Sequence, residues 1–466
     1  MKGTGKMKAV VEIGGGITGL ATLHYLKKQM KAKNKEAKLI LIEKNTYLGG
    51  KIHSIYEDGF IIEEGADSIE TGHPDVLEFI TDLDFKSEIV YNDAGTSYIH
   101  TNNELHAIPS DSTYGIPINV ESLMASTLIS EEAKKRFLQD EKMENFKFTK
   151  ESSIGEFLEY FLGEEIVRKQ IAPLLACVYS GDIYQLSLAS TLPSLLDYKN
   201  EYGSIMKGLE ANQSQYNRQA EKKFISFRNG LSAIIDRLEE TLIEDVAIKK
   251  GVAIMALGKM GDQYRIELDT GEHLEADVVV LAVPNETVKK IIENDVLAHL
   301  FDQFTTGSAI TMYLGYNIPD VGLPADGTGF IVSHNSDLVC NASTWTSRKW
   351  KHTSKDGNLL VRLCYKNSRY EELNKMSDEE LARVACEDIR LSLGITEAPA
   401  MLKTIKWTNQ IPLYDKAHKD ALIHVMQLMN IKYPDIHIAG SSYFGDEIGA
   451  CIANAKATAK KVVKTL

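Results

Sequence analysis

The sequence predicts an α/β fold of several domains, organised around a parallel sheet that begins near the amino terminus. Three observations predict it. An apolar strand at 8–13 ends in a glycine-rich turn and is followed by an apolar helix. A second apolar strand, 38–42, ends on Glu43. A third apolar stretch, 276–284, has the unbroken hydrophobic character of a parallel strand that is buried on both faces.

The glycines that follow the first strand are typical of a dinucleotide-binding turn. Gly14 makes the tight turn, Gly16 allows a pyrophosphate to approach the backbone, and Gly19 allows the next helix to pack on the strand. Glu43 lies near the offset of roughly 20 residues at which a carboxylate accepts the ribose hydroxyls. A chance match is the alternative. The strands and the helix around the pattern favour a Rossmann-like dinucleotide site.

A second glycine pair, Gly49-Gly50, indicates which dinucleotide is bound. It precedes Lys51 and an acidic, glycine-containing stretch at 63–68. NAD does not need a second glycine-rich crossing, whereas FAD buried along its length needs the backbone to approach it again. Lys51 would then offset phosphate charge. An ordinary turn is the alternative interpretation of the pair, and we expect FAD.

Composition excludes several classes of function. The net charge of −13 argues against nucleic acid and against an anionic membrane surface, because both are held by clustered cations. Five scattered cysteines suit a reducing cytoplasm, without a disulfide framework or a zinc site. The histidines form no metal-binding motif, and no apolar run approaches the roughly 18 residues of a membrane span. We expect a cytoplasmic protein without a metal and with at most peripheral membrane contact.

The rest of the chain predicts domains that are discontinuous in sequence. Residues 118–200 are mainly helical, and the polar stretch 201–222 is predicted to be a surface excursion. Phe157 and Phe161 are one helical turn apart, and we expect a core position rather than a membrane-dipping face. The boundaries that we assign are 1–90, 223–300 and 406–466 for the FAD-binding domain, 91–222 for a mainly helical domain, and 301–405 for a substrate-binding sheet.

With these motifs in place, the chain resembles the protoporphyrinogen and coproporphyrinogen oxidases, which share the flavin amine oxidase fold. It is similar to the soluble, coproporphyrin-forming type of Gram-positive bacteria over nearly its whole length. The glycine stretches at 14–20 and 48–52 are shared by many flavin amine oxidases. The stretches at 179–187 (Tyr-x-Gly-Asp-x-x-x-Leu-Ser) and 327–330 (Gly-Thr-Gly-Phe) are more specific.

The resemblance implies the oxidation of coproporphyrinogen III, or of protoporphyrinogen IX, in haem biosynthesis. Hydride passes repeatedly from this tetrapyrrole to the flavin, and oxygen reoxidises the flavin to give hydrogen peroxide. No acid–base pair is obligatory, and Cys364 and Tyr365 are candidates for the cavity wall. Haem-pathway proteins are candidate partners. The implied FAD contacts are Gly14, Gly15, Gly16, Ile17, Thr18, Gly19, Glu43, Lys44, Gly50, Lys51, Gly65, Ala66, Asp67, Ser68, Ile254, Trp407, Gly440 and Ile448.

The chain departs from the family pattern at several positions. Glu64 replaces an arginine, Ala66 replaces a proline, and the usual basic cluster becomes 70–73 (Glu-Thr-Gly-His). Several cations that would suit a substrate with four propionates are therefore absent. Two alternatives remain open. One is a catalytically weak paralogue that binds flavin and a tetrapyrrole or a partner protein. The other is a flavin amine oxidase whose aromatic cage would be Tyr443-Phe444.

Carboxylates at two further positions give local expectations. Glu12 stands in the expected central strand, where burial of an unpaired carboxylate is costly, so we expect a polar partner or a water-filled gap. The last helix, from Ala450 onward, is expected to direct its amino terminus at the flavin. Asp446 and Glu447 stand at that entrance and would lower the flavin potential.

Overall fold

The computed structural model describes residues 7–93, 95–179, 182–213, 224–323, 326–333, 335–366 and 369–466. Two residues of the more specific motif, Ser180 and Gly181, lie outside the described residues. So does 214–222, the second part of the predicted surface excursion.

A five-stranded parallel sheet forms the centre of the domain that is expected to bind FAD. Its middle strand is the one that precedes the glycine turn, and the three apolar strands predicted above all belong to it. Its strands come from three separated parts of the chain. The strands in spatial order are Val246–Lys250, Lys38–Glu43, Ala9–Ile13, Val278–Leu281 and Ile436–Ile438.

Helices cover one face of this sheet, and mixed elements cover the other. The helices on the first face are Ile17–Ala32, Pro74–Asp82, Ser232–Leu242 and Ile448–Thr465. The second face packs against the helices Asn285–Ile291, Asp295–Phe301 and Lys416–Lys432 and the antiparallel strands Ile254–Met260, Gln263–Leu268 and His273–Ala276. Burial on both faces explains why Val278–Leu281 is apolar throughout.

A seven-stranded mixed sheet forms the second domain. Its order is Met401–Pro412, Thr306–Pro319, Asn358–Lys366, Ala342–Trp345, Gly329–Val332, Ser97–Thr101 and Glu104–Ala107. The helix Asp378–Leu393 packs on one face and starts at the capping box that Ser377 forms with Glu380.

Two predicted domain boundaries need correction at this sheet. The strands Ser97–Thr101 and Glu104–Ala107 were assigned to the helical domain, but Ser97–Thr101 pairs in parallel with Gly329–Val332 of the second sheet. The strand Met401–Pro412 continues across the boundary set at 405. Both differences arise because the pairing partners lie far apart along the chain, as with Ser97 and Gly329 or Ala309 and Trp407, and leave no local signal in the sequence.

The helical domain has its own apolar core. Phe157 and Phe161 are fully buried there, as predicted. Ile205 and Leu209 are buried in the same core, so the start of the predicted surface excursion is a packed helix. No described helix is long and apolar enough to cross a membrane. The helices are Val120–Ala125, Glu131–Phe137, Ile154–Leu162, Glu164–Ile166, Ala172–Tyr179, Pro193–Tyr202 and Ile205–Ala211.

Short strands connect the domains near the glycine turns. The hairpin of Ser54–Glu57 and Phe60–Glu63 follows the second glycine pair. Phe224–Phe227 lies between Ile69–Glu70 and Ile89–Tyr91 in a three-stranded sheet.

Candidate functional site

The glycines of the first turn serve two different purposes. Gly14 has a φ of +108°, and a Cβ there would lie 2.4 Å from the Ala282 carbonyl oxygen. A Cβ at Gly19 would lie 2.0 Å from the Gly14 carbonyl oxygen, so both are needed by the fold. Gly16 has an ordinary φ of −73°, and the nearest atom to a Cβ there would be 3.9 Å away. The missing side chain of Gly16 therefore leaves open space beside the turn, as close approach of a ligand requires.

The helix Ile17–Ala32 directs its amino terminus at this open space. Its first-turn N–H groups have no intrahelical acceptors, and no side chain caps them. The positive end of a helix dipole favours an anion at that position. The backbone at Gly16, Ile17 and Thr18 therefore suits a phosphate, and we call it the phosphate cradle.

The second glycine pair lies directly on the first turn. The Gly49 N–H donates to the Gly15 carbonyl at 2.8 Å, and Gly16 and Gly49 form an isolated parallel bridge. Gly49 and Gly50 have φ values of +114° and +62°. A Cβ at Gly65 would lie 2.3 Å from the Lys51 carbonyl oxygen, so this third segment is also held close. Three glycine segments thus meet in one place, which favours a second crossing of a long cofactor over an ordinary turn.

Glu43 anchors the end of the cradle where the ribose of the adenosine is expected. Its Oε2 accepts from the Gly15 N–H and its Oε1 from the Asn45 N–H, both at 2.7 Å. Each carboxylate oxygen keeps a lone pair for a ribose hydroxyl. The Val252 N–H donates to the Glu43 carbonyl at 3.0 Å, which brings the segment leading to Ile254 alongside. Lys44, by contrast, is exposed.

Lys51 and Trp407 both reach the edge strand of the second sheet. The Lys51 ammonium donates to the Gln410 carbonyl at 2.5 Å. Burial lowers the pKa of Lys51, and Asp446 partly opposes that effect. The Trp407 indole N–H donates to the Glu64 carbonyl at 2.9 Å. Strand Met401–Pro412 therefore ties the two glycine segments to the sheet.

The last helix begins beside a cavity of about 130 Å³. Asp446 and Glu447 immediately precede this helix and are exposed. Gly440, with a φ of +99°, donates its N–H to the Asn454 side chain at 3.0 Å just before this helix. The cavity is lined by Ser68, Glu70, His73, Phe224, Glu447, Ile448 and Gly449.

An ionic network that the sequence did not reveal joins the two domains. The Arg362 Nη1 lies 2.9 Å from the Asp67 Oδ2, and its Nη2 donates to the Gly65 carbonyl at 3.4 Å. The Lys349 ammonium lies 3.9 Å from the same Asp67 oxygen, and the Ser68 hydroxyl donates to the other oxygen at 2.9 Å. Burial alone would raise the pKa of Asp67, but Lys349, Arg362 and Ser68 hold it below its usual range. Asp67 is therefore an anion at neutral pH.

The two cavity candidates lie on opposite faces of their strand. Tyr365 is buried against the helix Asp378–Leu393, and its hydroxyl donates to Asp388 at 3.1 Å. It is therefore corrected to a core residue. Cys364 is partly exposed on the other face, two positions from Arg362. Alternation along a strand places Cys364 and Arg362 on the same side, toward the glycine segments.

Glu63 is a buried carboxylate beneath the same network. Its oxygens accept from the Leu231 N–H and the Ser54 hydroxyl, each at 2.8 Å. Burial raises the pKa of Glu63 to about 7, although these hydrogen bonds oppose the shift. The Tyr313 hydroxyl donates to the Glu63 carbonyl at 2.9 Å and fixes the loop against the sheet.

The polar partner expected for Glu12 is not found among the described residues. Glu12 is fully buried in the central strand, and neither carboxylate oxygen has a hydrogen-bond partner among the described residues. Its partners on the two neighbouring strands, Leu41 and Val280, are both apolar.

The proposed aromatic cage is also absent at Tyr443. This ring is buried and packs against Phe301 and Phe304, with centroids 6.3 and 5.9 Å away. It belongs to the core beneath the parallel sheet rather than to a substrate cavity.

The fold and the cradle define a flavoprotein-type dinucleotide site, and comparison with known proteins gives the family. The sequence profile described as "Flavin containing amine oxidoreductase" matches residues 17–463, and the chain belongs to this family. It is 32% identical to the coproporphyrinogen III oxidase of Bacillus subtilis (strain 168), over 97% of each chain. It is 27% identical to that of Staphylococcus aureus (strain NCTC 8325 / PS 47), over 98% of this chain and 100% of that one.

Solved structures agree with this relationship. A crystal structure from Exiguobacterium sp. 255-15, assigned as a protoporphyrinogen oxidase, superposes with a TM-score of 0.88 at 28% identity over 99% of each chain. Reduced UDP-galactopyranose mutase superposes with a TM-score of 0.72 at 15% identity over 99% of this chain and 96% of that one, which shows the shared fold alone. The chain is thus a homologue of porphyrinogen oxidases within a family of flavin oxidoreductases.

Proposed function

We propose that this protein binds FAD and oxidises coproporphyrinogen III to coproporphyrin III, with oxygen as the acceptor and hydrogen peroxide as the second product. The observation that carries the proposal is the likeness to the Bacillus subtilis coproporphyrinogen III oxidase over 97% of both chains. This reaction belongs to haem biosynthesis.

The residues of the cradle fit FAD. Open space at Gly16, the uncapped helix at Ile17 and the crossing at Gly49 suit a pyrophosphate. Glu43 offers acceptors to a ribose. When bound, FAD supplies a hydride acceptor that oxygen can reoxidise.

The protein itself contributes position and charge rather than an acid–base pair. The glycine segments fix the cofactor at the boundary between the two domains. Arg362 and Lys349 belong to the domain of the seven-stranded sheet, and Asp67 belongs to the domain of the glycine segments. The substrate lies between these two domains, beside this ionic network. Holding a reacting C–H bond near the cofactor and excluding competing orientations accounts for catalysis of this type.

The test is a steady-state assay on the purified holoprotein. The protein is expected to be yellow, with the absorbance of oxidised flavin. The substrate is coproporphyrinogen III, prepared by chemical reduction of coproporphyrin III. In air, porphyrin fluorescence should rise faster with the protein than in a buffer blank that contains the same amount of free FAD. Oxygen uptake and peroxide should rise in proportion.

Three outcomes separate the alternatives. A yellow protein that binds coproporphyrin III but does not accelerate its formation would be the catalytically weak paralogue. Activity on alkylamines without activity on porphyrinogens would show that the protein is a flavin amine oxidase. The burial of Tyr443 disfavours this alternative. A protein that takes up no FAD would contradict all three.

A further inference from the structure

Two cations at the domain boundary retain hydrogen-bonding capacity that the protein does not use. The Lys349 ammonium has one carboxylate nearby, Asp67 at 3.9 Å, which is beyond hydrogen-bond distance. Its other neighbours are the ring faces of Phe224 and Trp350, at 5.2 and 5.6 Å from their centroids. Among the described residues, no acceptor takes a hydrogen bond from it.

Arg362 also has a hydrogen-bond donor that the protein does not use. Its Nη1 and Nη2 are directed to Asp67 and Gly65, but the Nε is buried and has no acceptor within the described part of the chain. Each such buried donor carries an uncompensated desolvation cost. A ligand oxygen in this position would remove that cost.

The charges of the cluster point to an anionic ligand. Lys349 and Arg362 carry two positive charges against the single carboxylate of Asp67, whose pKa is held low. Glu63 is the next carboxylate of the cluster, and both its oxygens already accept from Leu231 and Ser54. A net positive charge therefore remains on the face of the sheet that carries Cys364.

We propose that Lys349 and Arg362 form a subsite that binds one carboxylate of the substrate from the sheet side. This inference rests on the proposed function and specifies how a porphyrinogen is oriented. It also gives a physical reason why the chain tolerates Glu64 and Glu70 where its family usually carries cations. A carboxylate accepts charge-assisted hydrogen bonds from both side chains, while Asp67 keeps Arg362 in place.

The test compares Lys349→Met with two matched variants of the FAD-loaded protein. Lys349→Arg keeps the charge and the donors. Lys351→Met makes the same substitution at a residue that is 82% exposed and pairs with Asp93 at 2.9 Å. Steady-state constants for coproporphyrinogen III and equilibrium binding of coproporphyrin III, followed by fluorescence, are measured for all four proteins.

Lys349→Met should raise KM and the Kd for coproporphyrin III roughly tenfold with little change in kcat, which is the effect of one charge-assisted hydrogen bond. Lys349→Arg should restore most of the affinity, and Lys351→Met should match the wild type. FAD content should be equal in all four. Unchanged KM and Kd in Lys349→Met would overturn the subsite while leaving the proposed function intact.

Two other outcomes also overturn it. Loss of FAD in Lys349→Met would show that the cation serves the cofactor. Wild-type protein that neither binds coproporphyrin III nor oxidises its porphyrinogen would remove the proposed function itself. The wild-type measurements alone report that failure, so the two failures are distinguishable.

Discussion

The carboxylate of Glu12 lies against Gly19: one of its oxygens is 3.1 Å from the position that a Cβ of Gly19 would take. Glu12 therefore fills the space beneath the helix that forms the phosphate cradle. Burial raises the pKa of Glu12 well above its usual value, because the charged form would lose hydration without a partner. The central strand of the domain thus carries a polar group that nothing in the described structure compensates.

Glu12→Ile should increase the free energy of unfolding by about 1–3 kcal/mol, the cost of an unsatisfied buried polar group. Glu12→Gln is the matched control: it removes the titrating group but leaves an unpartnered amide, so it should lose the pH dependence yet remain less stable than Glu12→Ile. Because the folded pKa of Glu12 is raised, the wild type loses stability as pH rises, so the advantage of the isoleucine should grow from acidic to neutral pH. Denaturant unfolding of the three holoproteins at several pH values measures these differences in the free energy of unfolding. Loss of stability or of FAD in Glu12→Ile would show that the carboxylate has a structural role.

Glu63 should give the protein a second pH dependence. Its pKa rises from 4.5 to about 7 on folding, so protonated Glu63 contributes stability below about pH 4.5 that is lost as pH rises to about 7. The shift corresponds to about 3 kcal/mol. Glu63→Gln keeps an acceptor for Leu231 and should flatten the pH profile of stability across this window. The exposed Glu156→Gln should leave it unchanged, and parallel profiles for Glu63→Gln and wild type would contradict the assignment.

The helical domain depends on one buried ion pair. Lys199 donates to the Asp140 carboxylate at 2.7 Å and to two carbonyls, and both side chains are 1% exposed. Lys199→Met should cost roughly 3–5 kcal/mol because it leaves an uncompensated buried charge. Lys150→Met breaks an exposed pair with Asp197 and should cost less than about 1 kcal/mol. Chemical denaturation compares them, and equal losses would contradict this account.

Glu447 should influence the flavin from the entrance of the last helix. It lines the cavity beside Ile448, where the positive helix end favours the reduced, more negative flavin and a carboxylate opposes it. Because Glu447 is exposed, its effect is screened to about 1 kcal/mol or less, about 20 mV for a two-electron couple. Glu447→Gln should raise the midpoint potential by an amount of that order, measured by redox titration. An unchanged midpoint potential would contradict this prediction and show that solvent screens the Glu447 carboxylate from the flavin.

The parts of the site that the sequence predicts are those fixed by local chemistry. Gly14 and Gly19 are required by the turn and by close packing, and both requirements are visible in the residue type and its spacing. The apolar run at Val278–Leu281 predicts a buried parallel strand because no other environment suits it.

What the sequence does not predict depends on partners distant along the chain. Arg362 meets Asp67 across 295 positions, and neither residue carries a local signal of the other. The face of a strand that each side chain occupies can be derived from alternation, but which face lines a cavity requires the fold. For that reason the sequence alone does not show which of Cys364 and Tyr365 faces the cavity. In the structure, Tyr365 lies in the core and donates a hydrogen bond to Asp388.

The most direct test of the central claim is an anaerobic single-turnover experiment. Oxidised holoprotein is mixed in a stopped-flow instrument with coproporphyrinogen III in the absence of oxygen, and flavin absorbance and porphyrin fluorescence are followed together. For a porphyrinogen oxidase, we expect the oxidised-flavin absorbance to fall and to return when oxygen is admitted, with porphyrin appearing over these cycles. Flavin that stays oxidised in the presence of excess coproporphyrinogen III would contradict the assignment of this protein as a porphyrinogen oxidase.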